Sequence, residues 1–104
     1  MSTVFKALSD PTRRKVLELL KGGPRNAGDL AEHFNISKPT MSGHFAVLRE
    51  AGLVTSEREG KQVVYELQLS VLEDALLAFA QAFGWELKTG DSKDSPTAEK
   101  GETA

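Results

Sequence analysis

The stretch DLAEHFNISKPTMSGHFAVLREAGLV constrains this chain more than any other, because one apolar-periodic segment ends at Phe34 and another starts after only Asn35-Ile36-Ser37. Ala27, Leu30, Ala31 and Phe34 recur at i, i+3, i+4 and i+7, and Met41, Phe45 and Leu48 form a second stripe at helical spacing. Two helices joined so tightly must cross at a steep angle. Asn26 suits the N-cap of the first, with Asp29 favouring its positive end. Asn35 tolerates the left-handed conformation of a sharp helix exit. Ser37 caps the second helix, with Pro39 inside its first turn, and Ala51-Gly52 ends it.

The flanks fill in the rest. Residues 3–8, TVFKAL, place Val4, Phe5 and Leu8 at helical spacing, and Asp10 with Pro11 opens a helix running to about Lys21 with Val16, Leu17 and Leu20 on one face. Gly22-Gly23-Pro24 stops it. Beyond the corner the period shortens: 53–59 and 61–69 are rich in β-branched residues, carry an inner set Val63, Tyr65 and Leu67, and are split by Gly60, which predicts a hairpin. Ser70-Val71-Leu72-Glu73 reads as a capping box opening a last helix. That helix is apolar nearly all round: Leu72, Ala75, Leu76, Phe79 and Phe83 make one stripe, and Leu77, Ala78, Ala80 and Ala82 cover much of the remainder, so a buried helix is expected. Residues 1–87 are thus expected to form one domain, and 88–104, without apolar periodicity, a disordered tail.

Helix, tight corner, helix, hairpin is the order of a winged helix-turn-helix, mainly α with a small β-hairpin, here α-α-α-α-β-β-α. In that architecture the helix after the corner enters the DNA major groove and the hairpin tip meets backbone or minor groove. If Met41, Phe45 and Leu48 pack inward, Lys38, Pro39, Ser42, Gly43 and Ala46 lie outward, with Thr40, His44 and Arg49 flanking. Ser37 and the first-turn amides would offer N–H groups to a phosphate. Net charge does not advertise nucleic acid: residues 1–83 hold ten basic and ten acidic side chains. The claim rests on local placement. Blandly read, the same residues are the polar face of an amphipathic helix, docking a partner protein if anything.

Three separated motifs, DPTRRKVLELL, DLAEHFNISKPTMSGHFAVLREAGLV and REGKQVVYEL, resemble the ArsR family of bacterial winged-helix repressors, and FKALSDPTRRKVLELLKGG with AGDLAEHFNISKPTMS is especially similar to its SdpR-like autorepressor subgroup. The likeness spans about residues 3–83. It implies a homodimeric repressor that occludes a promoter, usually its own operon's, with the first and last helices forming the dimer. It implies that Arg58 and Lys61 form a basic wing and that His44 touches a phosphate or base edge. Gly43 departs from the family, which commonly places a polar or basic residue there. The subgroup also implies that a partner membrane protein, or another protein, relieves repression.

The residues point to the same dimer independently. A domain this small cannot hide Val4, Phe5 and Leu8 together with Leu72, Ala75, Leu76, Phe79 and Phe83, and each large apolar side chain left wet forfeits roughly 1.5–3 kcal/mol. A two-fold pair would set its recognition helices about 34 Å apart, one turn of DNA. Arg13 shares the stripe of Val16, Leu17 and Leu20, which predicts an ion pair near the core; Arg14 is expected in solvent, and Trp85 as a packing residue at the helix end.

The chain has no cysteine, so disulfides and thiolate metal sites are excluded. Family sensors hold metal through cysteines before the corner or Asp/His sets on the last helix. Asp29 with His33, and Glu73 with Asp74, are too few for a tetrahedral or octahedral site, so no metal and no cofactor are expected. No nucleophile–base constellation or phosphate loop points to an enzyme. Without a signal-like or membrane-spanning apolar run, a cytoplasmic location is expected.

Overall fold

A computed structural model describes residues 2–84. The elements are α1 (Ser2–Leu8), α2 (Pro11–Leu20), β1 (Arg25–Asn26), α3 (Ala27–Ala31), α4 (Lys38–Glu50), β2 (Val54–Glu59), β3 (Gln62–Leu67) and α5 (Leu69–Ala82). This is the expected winged helix-turn-helix, with one strand more than the hairpin alone. β1 pairs antiparallel with β3, Arg25 opposite Tyr65 and Asn26 opposite Val64, giving a sheet ordered β1-β3-β2. Two residues carry no detectable alternation, and only the approach of β3 from far along the chain makes them a strand.

The caps are built as the sequence implies. Asp10 accepts from the Thr12 and Arg13 amides at 2.8 and 3.1 Å, with Pro11 opening α2. Asn26 accepts from the Asp29 amide at 2.7 Å. α3 closes early, since His33 N bonds Leu30 O and Phe34 N bonds Ala31 O, tightening the last turn into the corner. The start of α5 differs from expectation: it begins at Leu69, its N-cap Gln68 makes no side-chain cap bond, and Ser70 lies within the helix. The Gln68 amide donates to Leu53 O at 2.8 Å, so the sheet edge sets where β3 ends and the helix must begin at once.

Val16, Leu17, Leu20, Leu30, Met41, Phe45, Leu48, Leu53, Val54 and Tyr65 form the core under α4. Phe45 packs on Tyr65 with ring centroids 4.7 Å apart, coupling α4 to β3. Gly52 (φ +77°) releases α4 into β2, and Gly60 (φ +64°) forms the wing turn; both conformations disfavour side chains. The hairpin register runs from Val54 opposite Leu67 to Glu59 opposite Gln62. The expected 88–104 tail and the packing role of Trp85 lie outside the described residues, as does the end of the 1–87 domain.

Candidate nucleic-acid interface

Helix α4 is held by its apolar side: Met41, Phe45 and Leu48 are buried while Ser37, Lys38, Pro39, Thr40, Ser42, Gly43, Ala46 and Arg49 are exposed. Ser37 caps it, accepting from the Thr40 amide at 3.4 Å and donating its hydroxyl to Thr40 Oγ1 at 3.0 Å. The first turn of a 13-residue helix is therefore presented to solvent with its N–H dipoles outward. Lys38 and Ser42 rise one turn apart beside a largely apolar cleft of about 260 Å³ between α3 and α4, lined also by Ala27, Gly28, Ala31, Met41 and Phe45. The wing carries Arg58 and Lys61, both exposed, about the Gly60 turn. Glu57 and Glu59 are exposed as well, but strand alternation places them on the face opposite Arg58.

His44 is not part of that open face in the same way. Its side chain is 16% exposed, and Nδ1 lies 3.1 Å from Arg13 Nη1 and 4.0 Å from Asp10 Oδ2. Among the described residues Arg13 makes no ion pair with a core acid, contrary to the sequence expectation. Its guanidinium instead donates to Ala7 O (Nε, 2.8 Å) and to Lys6 O (Nη2, 2.9 Å), which also accepts from the Ser9 amide and hydroxyl, at the end of α1. Arg14 is exposed, as expected, and from there donates to Leu8 O at 2.7 Å. The sequence showed Arg13 turned inward but held no sign of its partners, which come from two other helices. Partial burial pushes the Asp10 carboxyl up, yet its bonds from the Arg13 and Thr12 amides and its electrostatic attraction to nearby His44 and Arg13 outweigh this and hold it below 3.8.

The sequence profile described as bacterial regulatory protein, arsR family, matches residues 10–56, from the cap of α2 to the start of the wing. The transcriptional repressor SdpR of Bacillus subtilis is 54% identical over 76 residues, 73% of this chain and 84% of that one. The arsenical resistance operon repressor of Staphylococcus aureus is 41% identical over 76 residues, 73% of each chain. The chain belongs to the ArsR family. A crystal structure of an ArsR family transcriptional regulator superposes with a TM-score of 0.70 at 30% identity, covering 79% of this chain and 87% of that one. Like its family, the chain is a winged helix-turn-helix, DNA-binding transcriptional regulator.

The ArsR fold here leaves an apolar surface on α5. Leu69, Leu76, Leu77, Phe79 and Phe83 are exposed, Phe83 by 63%, while Ala75 and Ala80 are buried, so this chain by itself does not enclose the helix that the sequence reads as buried. Val4 and Ala75, expected at the interface between copies, are buried within this chain at 6% exposure each. Phe5, Leu8 and Leu72 are half-buried beside that apolar surface. Asp29 and His33 do not converge as ligands. The Asp29 carboxylate is taken by Arg25 at 2.7 Å, and His33 Nδ1 faces the Asp29 backbone oxygen at 3.0 Å.

Proposed function

We propose that this ArsR-family chain is a homodimeric repressor that binds its promoter through α4 and the wing and excludes the transcription machinery by occupancy. The observation that carries this reading is the division of surfaces: α4 exposes a polar first half built around Lys38 and Ser42, while α5 exposes Leu69, Leu76, Leu77, Phe79 and Phe83 elsewhere. The first suits a charged, hydrogen-bonding groove and the second suits a copy of itself. Pairing through α1 and α5 doubles the recognition helix, and a two-fold protein reads a two-fold site. In this reading Ser37, Lys38, Pro39, Thr40, Ser42, His44 and Arg49 meet the major groove or its phosphates, and Arg58 and Lys61 the flanking backbone. The similarity to SdpR supports control of its own promoter, from the cytoplasm, with release governed by a protein partner. Among the described residues no helix is long and apolar enough to cross a membrane.

The test is a fluorescence anisotropy titration with the duplex lying immediately upstream of its own gene. Salt-sensitive binding by a dimer, with preference over a scrambled duplex, is the expected result. Equal affinity for both duplexes would overturn sequence-specific repression. Absence of binding to either, together with capture of a defined protein by the α4 face, would replace it with a protein-interaction module.

A further inference from the structure

We propose that Arg13 is a positioning residue for DNA binding, which holds His44 as the neutral tautomer protonated at Nε2 and so aims an N–H from the recognition helix at a backbone phosphate. The proposal rests on the DNA-binding reading and adds a residue outside α4 to it.

The argument starts from what a guanidinium can do. Arg13 remains charged at every accessible pH and has five N–H donors and no acceptor. A hydrogen bond between Arg13 Nη1 and His44 Nδ1, at 3.1 Å, therefore has one polarity: Nη1–H donates and Nδ1 accepts through its lone pair. An imidazole whose Nδ1 accepts is neutral, and its only proton sits on Nε2. Doubly protonated His44 would instead set two N–H groups head to head at that distance, with Asp10 Oδ2, 4.0 Å away, as its alternative partner. Asp10 and Arg13 are the charged side chains that face the ring, both from the start of α2.

Arg13 is itself immobilised. Its Nε and Nη2 are committed to Ala7 O and Lys6 O, so the third arm of the fork points to His44 from a fixed origin at the end of α1. Among the described residues no protein group bonds His44 Nε2. Nε2 lies across the ring from Nδ1, and the His44 side chain keeps 16% of its surface open on a helix whose neighbouring turns expose Lys38, Thr40, Ser42 and Arg49. One arginine thus ties together α1, α2 and α4: it joins the helix expected at the dimer contact to the helix expected in the groove. A neutral N–H aimed at phosphate adds a directional bond where a lysine would add only charge.

The tautomer is read directly in the unmodified, full-length protein by long-range ¹H–¹⁵N correlation, with His44 distinguished from His33 by the spectrum of His44→Gln. Above the imidazole titration, an unprotonated Nδ1 and a protonated Nε2 are expected, with no DNA present. A proton on Nδ1 would overturn the proposal whatever the protein does with DNA. The second measurement is a double-variant cycle on affinity for the upstream duplex. His44→Asn keeps an acceptor near the Nδ1 position and removes the Nε2 donor; Arg13→Met removes the fork. Each should weaken binding at least about tenfold, the order of one hydrogen bond to a charged oxygen, and the double variant should be no weaker than His44→Asn. Multiplicative losses would show that Arg13 acts by another route, and an unchanged Arg13→Met affinity would show that it does not act at all. If Arg13→Met does not fold, Arg13→Lys, which cannot make three bonds from one planar group, takes its place in the same cycle. Loss of duplex binding by the unmodified protein would remove the DNA reading itself, while the tautomer measurement would still report on the Arg13–His44 bond.

Discussion

The rings of Phe5 and Phe79 pack at 5.2 Å between centroids with their planes 55° apart, and this pair joins the first helix to the last. Phe79 continues to Phe83 at 4.9 Å, so an aromatic ladder runs from inside the domain to the exposed end of α5. Phe79 and Phe83 are themselves part of the exposed apolar surface. Leu76, 42% exposed on the same helix, is the cleanest probe of what covers it. Leu76→Ala should weaken dimerisation by roughly 1 kcal/mol per protomer if the exposed part of that side chain is buried between copies. Sedimentation equilibrium checks this, and DNA affinity should fall with the dimer. An unaltered monomer–dimer equilibrium would place the contact elsewhere.

Lys38 is exposed on the first turn of α4, and its side chain bonds no other described residue. Lys38→Ala should leave the melting temperature almost unchanged and weaken binding to the upstream duplex. It should also flatten the dependence of log affinity on log salt by about one for each phosphate that is no longer neutralised, hence about two per dimer. A salt slope equal to that of the unmodified protein would exclude Lys38 from the groups that neutralise phosphate.

Gly43 lies in the middle of α4, and a methyl built there meets no atom within 4 Å. Nothing in the backbone demands glycine: its φ is not among the positive values. Gly43→Ala should therefore stabilise the fold by about 1 kcal/mol, the helix-propensity difference. Denaturant unfolding measures it. Should the same variant lose DNA affinity, the glycine is there for close approach of the duplex and not for the helix.

Asp10 holds the start of α2 and faces His44, and Asp10→Ala should cost about 1 kcal/mol as a lost N-cap. Because its folded carboxyl titrates below the ordinary 3.8, the charge contributes stability above that value, and the contribution is lost as pH falls through the lowered folded value. Asp10→Asn keeps a cap oxygen without the charge. The stability gap between the unmodified protein and Asp10→Asn should therefore shrink on acidification below about 4, near the usual aspartate range. Urea midpoints at neutral and acidic pH would show it, and a gap that widened would reverse the sign of the argument.

Much of this architecture was legible because its signals are local. Asp10, Asn26 and Ser37 cap helices from one residue away, the stripe Met41, Phe45 and Leu48 faces inward by helical periodicity alone, and Gly60 turns the wing. Those same local rules put Lys38 and Ser42 outside, since whatever is opposite a buried stripe is exposed. Tertiary structure decided what depends on residues distant in sequence. β1 is a strand only because β3 lies beside it, α5 starts at Leu69 because Leu53 takes the Gln68 amide, and Arg13 turns to His44, thirty-one positions away, rather than to an acid. Periodicity reports which side of an element is apolar. It carries no record of which polar atoms meet when three helices converge, and so Arg13 could be read as inward-facing while its work at the interface could not.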